Sequence, residues 1–165
     1  MKCGVFRNSI KSLPANHLYY ADECVIDTRI YREYAYAPGG KAVVGKISGK
    51  KYKRTNIVAA KCGTDIVAPM IYDGTTDSLL FEQWFEQMLL PIVPKGSYFI
   101  LDNATFHRKN KLHALAEKYG CTALFLPPYS PDLNIIEKYW AWLKRQLRKI
   151  LPSHDDSLVA LCGCF

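Results

Sequence analysis

The chain has 165 residues, of which 49% are hydrophobic and 22% charged, with a formal net charge of +7. That length and apolar share suit one domain with its own core and exclude a disordered chain. No apolar run approaches the roughly 18 residues of a membrane helix, and the stretch 1–17 lacks the apolar core of a secretory signal, which places the protein in the cytoplasm.

The excess of positive charge favours a polyanionic partner, nucleic acid ahead of a membrane surface. It is concentrated in two places. Residues 41–54, "KAVVGKISGKKYKR", hold six basic residues and no acid, and residues 138–149, "KYWAWLKRQLRK", hold five and no acid. The six cysteines form no paired CxxC pattern and read as reduced, small apolar residues.

In chain order, residues 17–38 are aromatic and β-branched and predict one or two strands, with a turn at Gly39 and Gly40. "TNIVAAKCG" and "DIVAPMIYDG" predict two more strands joined at Gly63, Thr64 and Asp65, so the first half reads as an antiparallel meander. Leu80, Trp84, Phe85, Met88 and Leu89 then follow a helical period, with Thr76 or Asp77 as N-cap. "YFILD" (98–102) predicts a strand buried on both faces, residues 109–120 a short helix with Gly120 at its C-terminal cap, "TALFL" a further buried strand, and residues 134–150 a last helix. Three antiparallel strands followed by α-β-α-β-α make an α/β fold with a mixed sheet and helices on its faces.

Three carboxylates stand out. Asp22 lies in the first strand, in "YYADE". Asp102 ends a buried strand, where open α/β sheets place their ligands, and is followed by the polar Asn103, Thr105 and His107. Each aspartate also has a plain reading as a turn or strand-end residue. Glu137 fits a capping box with Asn134. Yet Leu133, Ile136, Trp140, Leu143 and Leu147 form the apolar seam of the last helix, and Glu137 lies beside that seam in line with Ala141, Lys144 and Arg148. An acid at the head of a basic stripe suits a metal ligand with a phosphate backbone running beside it. Three converging carboxylates repel one another, and a divalent cation relieves this. Mg²⁺ takes hard oxygen ligands, and two such ions can serve phosphoryl transfer. The basic residues Lys50, Lys51, Lys53, Arg54, Lys138, Lys144, Arg145 and Arg148 would then hold a DNA backbone.

"ADE" at 21–23, "LDNATFH" at 101–107 and "LPPYSPDLNIIEKYWAWLK" at 126–144, with 34 residues between Asp102 and Glu137, resemble the catalytic domain of mariner-type DDE transposases of the bacterial insertion-sequence branch. The resemblance implies a ribonuclease-H-like fold with Asp22, Asp102 and Glu137 as the metal-binding triad, supported by Asn103, His107 and Asn134. It implies two Mg²⁺ ions, with Mn²⁺ as a substitute. The activity would be cutting of transposon-end DNA and transfer of the freed 3′-hydroxyl to target DNA, at TA if the family pattern holds. The partners would be DNA and either a second copy or a separately encoded helix-turn-helix subunit, in the bacterial cytoplasm at the nucleoid.

Two departures stand beside the resemblance. Ile135 replaces a proline that many relatives carry. The family's N-terminal helix-turn-helix region is also missing, so residues 1–165 read as a single catalytic domain: one frame of a split element, a truncated copy, or an excised piece. The rival functions are a decayed copy that binds DNA without cutting it and a ribonuclease-H-like nuclease acting on RNA–DNA hybrids.

Overall fold

The computed structural model describes residues 3–26, 39, 54–128, 130–150 and 161. The expected second part of the first strand region, the basic stretch at Lys50, Lys51 and Lys53, and Cys162 and Cys164 lie outside these residues. Five strands form one sheet: β1 (Leu18–Ile26), β2 (Thr55–Cys62), β3 (Asp65–Tyr72), β4 (Tyr98–Leu101) and β5 (Thr122–Phe125), in the order β3-β2-β1-β4-β5. The first three are antiparallel neighbours, while β4 and β5 run parallel to β1. The sheet is therefore mixed, as the order of strands and helices in the sequence predicts.

Alternation along β1 divides the core in two. Leu18, Tyr20, Cys24 and Ile26 point to the face covered by α1 (Cys3–Lys11) and α4 (Ile136–Ile150), while Tyr19 and Ala21 point to the face covered by α2 (Ser78–Trp84) and α3 (Lys109–Lys118). The seam of α4 is as its period predicts: Ile136, Trp140, Leu143 and Leu147 are buried. Asp77 caps α2, its Oδ1 accepting from the Leu80 N–H at 2.8 Å. The helical stretch then loosens into a π turn at Phe85–Leu89 and a 3₁₀ turn at Leu90–Ile92, where Pro91 has no N–H to continue the ladder.

Gly120 has φ +71 and ends α3 in the left-handed conformation its position requires. Strand β3 tolerates Pro69 because it is an edge strand with a shifted register between Val58 and Ala60, beside Ala68 at φ 50. Helix α1 was not expected from the sequence; it docks by Phe6, with Ile10 of its last turn and Leu13 just beyond it packed on the same core.

Candidate active site

The register places the first two acids together. Ala21 pairs with Leu101 in the parallel β1–β4 ladder, so Asp22 and Asp102 are level at the next step, on adjacent strands about 4.8 Å apart. Asp102 follows the last residue of β4, at the carboxyl end of the strand. Asp22 points toward α4, on whose first turn Glu137 stands exposed. One turn on, the Trp140 indole Nε1 donates to Asp22 Oδ2 at 3.2 Å, which ties the first turns of α4, and with them Glu137, to β1.

Asp22 is 6% exposed, and its carboxyl is pushed up to about 8, first by burial and then by the neighbouring charges of Glu137, Glu23 and Asp102. Asp102 goes the other way. Burial raises it, but contact with His107 and the Ala104 N–H, which donates to Oδ1 at 3.1 Å, outweigh that and hold it below the usual range. His107 is buried between Glu23, at 3.5 Å from Nε2, and Asp102, at 3.2 Å from Nδ1. The Nδ1 contact is close enough for an ion pair but lacks hydrogen-bond alignment. Burial alone would lower His107, yet the two acids raise it to about 9, so it is an imidazolium at neutral pH. The rings of Phe81 and Phe106 flank it at 4.3 and 4.4 Å. Next door, Arg108 forms a two-pronged pair with Glu82 of α2, at 2.7 and 2.6 Å, and anchors the segment after Asp102.

Asp102, Asn103, Asn134 and Glu137 line one cleft of about 410 Å³, walled by Leu126, Pro127 and Pro128. The Glu137 N–H donates to the Asn134 carbonyl at 3.2 Å. The side-chain bonds of a capping box are not made among the described residues: both polar atoms of the buried Asn134 carboxamide lack a partner. The Glu137 carboxylate is thus left to the cleft. A shallow groove of about 350 Å³ leads away from Glu137 past Trp140, Ala141, Lys144, Arg145 and Arg148, which is the stripe expected from the helical period. Lys144 leans inward beside the Cys24 thiol, which burial raises to about 11 against the lowering effect of that lysine. Lys138 is exposed and does not line the groove, and Arg54 stands exposed where β2 begins, beside the end of β1. Cys24, Cys62 and Cys121 are free thiols, as expected.

Among the described residues, no three His, Cys, Asp or Glu side chains stand close enough together to hold a metal ion. The donor set nevertheless fits a hard divalent cation in kind. Asp22, Asp102 and Glu137 offer only oxygens, and a buried carboxyl pushed upward by its acidic neighbours is the group a cation would relieve. Two oxygens are engaged within the protein, Asp22 Oδ2 by Trp140 and Asp102 Oδ1 by Ala104 and His107.

Sequence reasoning missed Glu23 and the polar role of Trp140. The signal for Glu23 was a second acid inside a buried strand; for Trp140 it was an indole N–H within an otherwise apolar seam, which needs an acceptor when buried.

A family model described as DDE superfamily endonuclease matches residues 17–159. No curated protein matches the chain in sequence. Among solved structures, the fold is similar to the Mos1 transposase paired-end complex with left transposon end, at TM-score 0.65 and 16% identity over 88% of this chain and 46% of that one. It is also similar to the mariner Mos1 paired end complex with Mg, at 0.63 and 16% over 94% and 54%. The catalytic core domain of BIV integrase matches at 0.53 and 15% over 89% and 79%. The chain thus spans about half the length of the Mos1 chains, and it shares with them and the integrase core a ribonuclease-H-like fold.

Proposed function

The chain belongs to the DDE superfamily endonucleases, and we propose that it is the catalytic domain of a mariner-type transposase of the bacterial insertion-sequence branch. In this reading it cuts DNA at transposon ends and joins the freed 3′-hydroxyl to target DNA. The observation that supports the reading is that the charges of Asp102, at the end of β4, and Glu137, at the head of α4, both act on the buried Asp22 of β1, and that a basic groove leads away from Glu137. A solved relative of this fold is a complex with a transposon end, and another is a strand transfer complex.

Asp22, Asp102 and Glu137 would hold Mg²⁺, as two ions, or Mn²⁺ in its place. When bound, such cations polarise the scissile phosphate and sharpen the attacking hydroxyl as a nucleophile. Asp22 would have to give up its proton to serve as a ligand. Trp140 fixes the orientation of Asp22, and the His107 imidazolium offsets the charge of Asp102 and Glu23. Lys144, Arg145 and Arg148 attract the phosphate backbone along the groove, with Arg54 and Lys138 outside it. The work takes place at the bacterial nucleoid, by a homodimer or with a helix-turn-helix subunit.

The test is nicking of supercoiled plasmid in Mg²⁺ or Mn²⁺. Metal stabilisation of several kcal/mol corresponds to roughly a hundredfold or greater loss of rate in Asp102→Asn, with duplex binding kept within about twofold. Nicking by the variant at a rate near that of the parent chain would overturn the triad. The engagement of Asp22 and Asp102 by Trp140 and His107 favours one rival, a non-cutting DNA-binding copy. Duplex binding without any nicking would select that rival, and cutting of RNA–DNA hybrids without strand transfer would select a ribonuclease-H-like nuclease.

A further inference from the structure

The outward side of α4 carries a surface that lies outside the cleft and meets the groove only at Arg145. Trp142 is 41% exposed, whereas the chain's other two tryptophans, Trp84 and Trp140, are buried. Its ring stacks on Tyr139 with centroids 5.5 Å apart and planes 29° from parallel, giving a broad flat aromatic surface. Lys138, Arg145 and Lys149 are exposed on the same helix. At about 100° and 1.5 Å per residue, Lys138, Trp142, Arg145 and Lys149 fall within an arc of roughly 60° and a length of about 16 Å. No acid shares that arc. Arg145 also lines the groove that leaves Glu137, so the cationic surface is continuous from the acidic cleft to Trp142.

A lone exposed tryptophan is ordinary on a protein surface. This one is paired with a second ring and flanked by three cations, so its complement must present flat apolar faces and negative charge together. Duplex DNA offers phosphates and base edges, its base faces being stacked on one another. A single strand offers free base faces along a phosphate backbone, the chemistry that stacking platforms with basic borders recognise. We propose that the outer face of α4 binds the unpaired bases of a single DNA strand, with Trp142 taking a base and Lys138, Arg145 and Lys149 its phosphates. The proposal rests on the reading of the chain as a DNA-cutting enzyme and adds a substrate form to it: the strand left unpaired beside a cut.

The experiment titrates the full chain with a short oligothymidylate and, separately, with a hairpin duplex of equal length, reading tryptophan emission and affinity. With Trp84 and Trp140 buried, quenching by the single strand reports on Trp142. Trp142→Ala should lose that quenching and weaken single-strand binding at least about fivefold while duplex affinity stays within about twofold; Trp142→Phe should retain most of the affinity, because it keeps an aromatic face. Equal weakening of both DNA forms, or no weakening of either, overturns the proposal. So does an emission change that depends on protein concentration without DNA and disappears in Trp142→Ala, which would mark a face between two copies. Plasmid nicking measured in parallel separates the two readings. A chain that nicks but shows no role for Trp142 loses this inference alone, and a chain that binds neither form of DNA loses both.

Discussion

Asp22 and Asp102 stand level on neighbouring parallel strands, yet their carboxyls are held in opposite states. Asp22 faces α4, is buried, and has three acidic neighbours that outweigh the Glu23 backbone N–H and the indole N–H beside it, so it keeps its proton up to a pH of about 8. Asp102 lies at the strand's end, half-exposed, with a backbone N–H and the His107 imidazolium beside it, and is ionised below the usual range. The same side chain at the same height on one sheet is set by its immediate neighbours. Asp102, with a histidine beside it, has its charge balanced within the chain. Asp22, with acids around it and no cation beside it, is left with an unbalanced charge, which a metal ion would offset.

The largest effect should come from removing the unbalanced acid. A carboxyl raised from 3.8 to about 8 costs stability progressively as pH rises through that window, because the folded state holds a proton the unfolded state has lost. At roughly 1.4 kcal/mol per unit, Asp22→Asn should stabilise the metal-free chain by several kcal/mol at a pH of about 9. Little change is expected at about pH 3, where both states are largely protonated. Urea denaturation at the two values checks this. A variant less stable than the parent at high pH would mean that Asp22 is already charge-balanced.

His107 tests the other aspartate. Its folded value of about 9 lies above the ordinary 6.5, so its contribution is complete below about 6.5 and disappears as pH rises through 9. His107→Gln should cost about 1–3 kcal/mol near pH 6, an amount reduced by the partial exposure of Asp102, and the difference from the parent should shrink toward pH 10. A cost independent of pH would reduce His107 to packing between Phe81 and Phe106.

The smallest effect joins the comparison to metal. Loading Mg²⁺ must displace the Asp22 proton, so apparent affinity should rise by up to about tenfold per unit between roughly pH 6 and 8 and then flatten. Calorimetry at about pH 7 in two buffers of different protonation heat should show close to one proton released per binding event. A flat affinity across that range would show that Asp22 is ionised before metal arrives.

Much of this was legible in the sequence because it is local. The seam of α4, the groove stripe of Glu137, Ala141, Lys144 and Arg148, and the cap at Asp77 all follow from spacings within a few turns, and each stands where its period placed it. The strand–helix order is local too, and with few ways to connect such elements it yielded the mixed sheet. Helix α1 escaped notice because nine residues before a proline leave a weak period; it is held by docking Phe6 on the sheet.

By itself, then, the sequence determined which residue types sit on which face of each strand and helix, since backbone geometry repeats every two residues or every 3.6. Only the tertiary structure decided which faces meet. The bond from Trp140 to Asp22 spans 118 residues and the contact of His107 with Glu23 spans 84. Those pairings, and the opposite protonation of two level aspartates that follows from them, depend on strand register and on which helix covers which face. No local pattern encodes either, because both emerge only when distant segments pack and exclude water from the charges between them.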